Sequence, residues 1–121
     1  MSEYYDRQGN PMTLKQWANR LEGGIDEARV AETILPSGYW VSTVWLGLNH
    51  AFGSGPPLIF ETMVFPCDKD GKVTSFGEMD SDRYSTETEA LAGHARISEK
   101  WANGEPVSVD VVDPVGEKIT G

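Results

Sequence analysis

Apolar residues recur along this chain first at helical spacing, then at strand spacing, then at helical spacing again. Leu14, Trp17 and Leu21 form one stripe, which predicts a short helix over residues 13–22. Thr13 and Gln16 stand at the capping-box spacing, and Met12 and Trp17 occupy the two positions of a hydrophobic staple. Gly23-Gly24 ends the helix, because glycine accepts the left-handed backbone beyond a helix terminus. Two β-rich runs follow, Arg29–Leu35 and Tyr39–Leu48, joined by Pro36-Ser37-Gly38; proline presets a turn and glycine supplies a positive φ, so the pair reads as a hairpin. In the second run Trp40, Val44, Leu46 and Leu48 face one way and Val41, Thr43, Trp45 and Gly47 the other. With a tryptophan on each side, this strand is expected to be central and covered on both faces.

After the glycine-rich connection Asn49–Pro57 comes Leu58–Phe65, a third strand that is apolar except for Glu61 and Thr62. Such a run needs cover on both faces or a partner surface. Pro66 ends it. Asp68–Lys72 is turn-like, a weak strand is expected at Val73–Phe76, and Gly77–Arg83 reads as acidic and irregular. A second helix is predicted over 86–102. Thr86 and Glu89 cap it, Glu87 and Glu89 suit its positive end, and Asn103-Gly104 closes it. Its apolar side is Ala90, Leu91, His94, Ile97 and Trp101. Val107, Val109 and Val111 alternate as in an edge strand before Asp113-Pro114 breaks the pattern. The expected fold is therefore α+β: a central antiparallel sheet of three to five strands, a short N-terminal helix, and a longer C-terminal helix packed on the sheet through Leu91, His94, Ile97 and Trp101. Residues 1–104 form one domain, and 105–121 a partly flexible tail or edge strand.

Length and composition narrow the functional classes. At 121 residues the chain suits one domain, and its four tryptophans, four phenylalanines and four tyrosines supply a core. Two short helices can cover only one face of so apolar a sheet, which predicts self-association, most simply as a homodimer. A formal net charge of −9 repels phosphate backbones and argues against direct nucleic-acid binding; it suits solubility or a basic partner. A single cysteine, Cys67, fits a reducing cytoplasm, and no apolar run approaches the roughly 18 residues of a membrane span. The expected location is the cytoplasm.

Candidate chemistry is sparse. Gly53-Ser54-Gly55 lacks the Walker and dinucleotide patterns and leads into Pro-Pro and a strand, not a helix. Asp68-Lys69-Asp70-Gly71 fails as a calcium loop, since its glycine comes fourth and its twelfth residue is Met79. Two histidines and one cysteine show no metal spacing, so no metal or cofactor is expected. His94, on the helix stripe, reads as a core histidine. Cys67 beside Asp68 and Asp70 lacks the positive surroundings that stabilise a thiolate. Glu61 is the one acid inside an apolar strand and needs a mate, with Arg29 or Arg96 the candidates, unless it meets a cationic partner or polar ligand. His50 closes a strand and opens the glycine-rich loop. Phe52 offers an apolar anchor there or plugs the core, while Gly53 and Gly55 either let a partner approach or simply turn the chain. The expected site is this loop, His50–Pro57, with Trp40, Trp45 and Glu61 as neighbours.

Further residues carry a resemblance. Tyr5-Asp6-Arg7 with Gly9 and Pro11 precede the Trp17 helix; Trp40-Val41-Ser42-Thr43-Val44-Trp45-Leu46-Gly47-Leu48 runs on to His50 and Phe52-Gly53; Gly55-Pro56-Pro57-Leu58-Ile59-Phe60-Glu61-Thr62-Met63-Val64-Phe65 follows; then Tyr84-Ser85-Thr86 and Glu89-Ala90-Leu91-Ala92-Gly93-His94. Over most of residues 4–101 the chain resembles a family of small uncharacterised proteins encoded by tailed bacteriophages and prophages. The family supplies no catalytic residue to carry over. The resemblance implies an accessory factor acting on a host component, inhibition of a host or anti-phage defence factor being one such role, or a minor virion or assembly component. The leading expectation is a non-enzymatic binding protein that occupies a surface of a host protein or sequesters a small ligand. The alternative is a structural or assembly protein that self-associates through its apolar sheet, and the third a small enzyme using His50 and Glu61.

Overall fold

A computed structural model describes residues 3–51, 55–102, 110–112 and 118–120. Tyr4–Tyr5 (β1) and Pro11–Met12 (β2) pair as a small antiparallel ribbon. Its turn is held by Asp6, whose Oδ1 accepts from the backbone N–H groups of Gln8 and Asn10. Leu14–Leu21 (α1) begins on Thr13 with the full capping box: Thr13 Oγ1 accepts from Gln16 N, and Gln16 Oε1 accepts from Thr13 N. Only one member of its apolar stripe packs well. Trp17 stacks on Tyr4 at 4.8 Å and donates Nε1–H to the Leu46 carbonyl, whereas Leu14 and Leu21 are exposed. A second short helix, Gly24–Ala28 (α2), follows where the sequence shows only a stop, and Gly24, at φ +76°, makes the bend between the two.

Arg29–Leu35 (β3) and Tyr39–Trp45 (β4) form the expected hairpin, with Gly38 at φ +96°. Phe60–Pro66 (β5) pairs antiparallel with β4, and Asp80–Tyr84 (β6) with β5. Glu87–Trp101 (α3) crosses the sheet, and Asp110–Val112 (β7) and Lys118–Thr120 (β8) extend it beyond β3. The strand order is β6-β5-β4-β3-β7-β8, with the N-terminal ribbon as a separate pair. The fold is α+β. No helix among the described residues is long and apolar enough to cross a membrane.

Several boundaries depart from expectation for local reasons. β4 stops at Trp45, not Leu48, because Leu46 and Gly47 both donate to the Ile59 carbonyl and Gly47 then turns the chain at φ +72°. Leu48 instead bridges Tyr4. The strand expected at Val73–Phe76 is a single bridge between Cys67 and Val73, and the extended segment is β6, inside the run read as irregular. Its carboxylates explain both results: Asp80 is met by Lys100 and the Trp101 indole, and Asp82 by Arg96, all on α3. A charged strand is stable at a sheet edge when a helix supplies its counter-charges. β7 lies inside the sheet, with β8 at the edge. The expected helix stop at Asn103-Gly104, Val107, Val109 and Asp113-Pro114 lie outside the described residues.

One face of the sheet carries the core. Val41, Val64, Leu35 and Ile97 make one cluster, and Val30, Trp45, Ile59, Phe60, Tyr84, Ala90 and Met12 the other. α3 seats on this face as its stripe requires: His94 and Ile97 are buried, and Leu91 and Trp101 half-buried. Gly93 lets the helix approach, since a Cβ there would lie 2.2 Å from the Tyr84 hydroxyl.

Candidate functional site

With α3 on one face of the sheet, strand alternation assigns every second residue to the other. Cross-strand register arranges that second face in three rows. Arg29, Val44, Glu61 and Arg83 form the first. Glu32, Ser42, Met63 and Ser81 form the second. The third is Ile34, Trp40 and Phe65.

The first row is charged, and Glu32 of the second row balances it. Arg83 Nε donates to Glu61 Oε2 at 2.8 Å, and Arg29 pairs with Glu32 at 2.8 Å. Arg29 also lies over the Trp40 ring at 5.6 Å, which ties this row to the third. Glu61 is thus mated, by Arg83 and not by Arg29 or Arg96, which serve Glu32 and Asp82. It shares its face with Met63 and Phe65 as alternation implies, while Ile59 lies before the strand and is buried in the core.

The third row is apolar. Trp40 stacks on Phe65 at 5.9 Å, and Phe76 approaches Phe65 edge-on at 6.4 Å while remaining 85% exposed. Ile34 is exposed too, touched by the turn at Gly71, whose missing Cβ would sit 2.4 Å from Ile34 Cδ1. That turn is the one expected from Asp68–Lys72: Asp68 Oδ1 accepts from Asp70 N and Lys72 N, and Gly71 takes φ +81°. Ile34, Trp40, Phe65 and Phe76 therefore make an aromatic and aliphatic patch in which Ile34 and Phe76 are exposed and Trp40 and Phe65 half-buried. Beyond the first row, Val44 also lines an apolar groove of about 370 Å³ between α1, α2 and the end of β4, walled by Trp17, Leu21, Ile25 and Trp45.

Of the residues expected to form a site, Trp40, Trp45 and Glu61 are not gathered in one place. Trp40 and Glu61 share the second face, at opposite ends of it. Trp45 points to the core face, 4% exposed, with Nε1–H donated to the Tyr5 carbonyl, and forms one wall of the groove. His50 follows β4 and is tied through its backbone N–H to the Leu58 carbonyl; no hydrogen bond joins it to Glu61. Asn49 Oδ1 accepts from Ala51 N and Leu58 N and so closes the base of the loop. Gly55 has φ +134°, and a Cβ there would meet nothing among the described residues. Phe52 and Gly53 lie outside the described residues. Sequence reading missed Ile34 and Phe76. Their signal was an isoleucine in a strand turned opposite to Val41 and Thr43, and a phenylalanine in a segment too polar to bury it.

His94 is the only ionisable side chain wholly enclosed among the described residues, and it is structural. Nε2 meets Thr33 Oγ1 at 2.9 Å and Nδ1 meets Thr43 Oγ1 at 2.7 Å, while Thr43 bonds onward to Thr62. Burial pulls its pKa down from 6.5 to about 4, so the imidazole is neutral near pH 7. Burial, and then the Asp68 charge, push the Cys67 thiol up, away from thiolate chemistry. Among the described residues no group of three or more His, Cys, Asp or Glu side chains could hold a metal ion. Comparison with known proteins found no family, no curated protein and no solved structure that matches this chain.

Proposed function

We propose that this chain is a non-enzymatic binding protein that acts by occupying a surface of a partner protein. In the phage setting implied by the resemblance, that partner is a host protein, and blocking a defence factor is the role in view. The observation that supports the reading is the patch of Ile34, Trp40, Phe65 and Phe76 on the sheet face opposite α3. Phe76 is left almost wholly in water against Phe65, which itself packs on Trp40. Large aromatic side chains in such a cluster are the usual energetic centre of an interface. The imidazole most protected from solvent is spent on holding two threonines, which favours recognition over catalysis.

The test is affinity capture from host lysate with the wild type and with Trp40→Ser plus Phe76→Ser. A partner retained by the wild type and weakened about tenfold or more by the double variant supports the reading. A partner held equally by both, or lost only when His50 is changed, refutes it. The same face supports a second reading, self-association, because its charges are balanced: Arg29, Glu32, Glu61 and Arg83 sum to zero on a chain of net charge −9. Light scattering at tens of micromolar separates the two. A clean monomer removes the homodimer, and a dimer abolished by the double variant establishes it.

A further inference from the structure

A polar cleft lies where α1, α2 and the β1–β2 ribbon meet the first turn of α3. Its inner end is built on Arg7, which is 8% exposed. Nε of Arg7 donates to Glu87 Oε1 at 2.7 Å, and Nη1 to the Glu27 carbonyl at 3.2 Å. Nη2 is buried and has no acceptor among the described residues. A guanidinium fork is thus held rigidly by two of its nitrogens while the third, still carrying its hydrogens, is left over. Arg7 lines a recess of about 60 Å³ together with Arg20, Glu27 and Trp45. Arg20 and Glu27 also line an outer cleft of about 480 Å³ with Asp6, Gln16 and Asn19, so the two spaces share a wall.

The donors and acceptors limit what fits. The Arg20 side chain makes no hydrogen bond or ion pair among the described residues, and neither does the Glu27 carboxylate, which lies over Gly23. Gln16 spends its Oε1 on the Thr13 cap and keeps its amide hydrogens. Asp6 is committed to its own turn. The site therefore offers two guanidiniums and side-chain amides to an acceptor group, and one uncommitted carboxylate to a donor. A bare anion is a poor match, since Asp6, Glu27 and Glu87 outnumber Arg7 and Arg20 and the chain carries −9. The recess has room for a single carboxylate-sized group, about two waters at ~30 Å³ each. The outer cleft falls within the roughly 300–1,000 Å³ of small-molecule sites.

We propose that this cleft binds a small zwitterion of the free amino-acid class, its carboxylate meeting Arg20 and the Arg7 guanidinium at the recess and its ammonium group meeting Glu27. The proposal does not depend on the sheet face, because none of Ile34, Trp40, Phe65 or Phe76 lines the cleft. The test is a panel of the free amino acids, each beside its des-amino acid and its decarboxylated amine, followed by titration calorimetry and thermal unfolding of the full chain. At least one amino acid should bind at one site and raise Tm by about 5 °C at tenfold excess over its Kd. Its des-amino and decarboxylated partners should bind at least tenfold more weakly. Arg20→Gln, a change at an exposed side chain without a partner, should weaken the amino acid by about tenfold. Glu27→Gln should weaken it similarly while leaving the des-amino acid unchanged. The proposal is overturned if no panel member binds, if the des-amino acid binds as well as the zwitterion, or if Arg20→Gln leaves binding intact.

Discussion

Lowering the pH should destabilise this protein through one imidazole. His94 is enclosed, with both ring nitrogens bonded to threonine hydroxyls, and burial lowers its pKa from 6.5 to about 4. The unfolded chain takes up the proton first as pH falls, because its histidine titrates near the ordinary value. The stabilising contribution is therefore complete above pH 6.5 and is lost progressively as pH falls toward 4. Each pH unit between the two values is worth ~1.4 kcal/mol, so full protonation removes about 3 kcal/mol. That is a large part of the roughly 5–15 kcal/mol that a small domain possesses. The perturbation is His94→Gln, which keeps a polar side chain and removes the titration. Urea unfolding of both proteins from pH 7.5 to pH 4.5 isolates the effect, since carboxylates and His50 contribute equally to both and cancel in the difference. The variant starts less stable, having lost part of the threonine network, and the gap should close steadily below pH 6.5. A gap that stays constant across the range would mean that His94 takes its proton as easily in the folded state as in the unfolded one, and the argument from burial would fail.

Gly47→Ala should lower stability by about 3 kcal/mol, since the residue sits at φ +72° and an added Cβ would lie 2.6 Å from both Trp17 Nε1 and the Trp45 ring; chemical denaturation measures it. Gly93→Ala, usually favourable in a helix, should instead cost about 1–3 kcal/mol by pushing α3 off Tyr84, and an unchanged or raised midpoint would show that the helix can shift without loss. Phe76→Ser should leave the thermal midpoint within about 1 °C of the wild type, because an 85% exposed ring has little burial to lose; a marked fall would mean that Phe76 is covered in solution.

Elements whose signals are local were legible in the sequence. The α1 capping box, the β3–β4 turn at Gly38 and the buried stripe of α3 are each written within a few residues of where they act. β6 was not, because Asp80 and Asp82 contradict strand propensity and are reconciled only by Arg96, Lys100 and Trp101, which the fold brings from α3. α2 was hidden behind a double glycine that ends one helix and starts the next. The candidate surface was half legible. Apolar excess in two strands announced a second apolar face, and Trp40 and Glu61 lie on it. Alternation says that Trp40 and Trp45 oppose each other but not which of them faces the helix, and it is Trp45 that does. Ile34 and Phe76 become neighbours of Trp40 and Phe65 only through the register and the Gly71 turn.

The order of strands has a consequence for synthesis. β4, β5 and β6 each pair with the strand just before them along the sheet, so this meander and α3 can form as the chain leaves the ribosome. β3 differs, since its outer edge is met by β7, with Ala31 opposite Val111, 80 positions later. At roughly 5–20 residues per second, that edge stands open for several seconds while everything on its other side is already in place. It carries only one charged residue within Val30–Leu35, Glu32, to discourage pairing with a neighbouring nascent chain. Crowded polysomes are therefore where this protein is most exposed to misassembly, and a chain stopped at Ala102 would carry that vulnerability permanently.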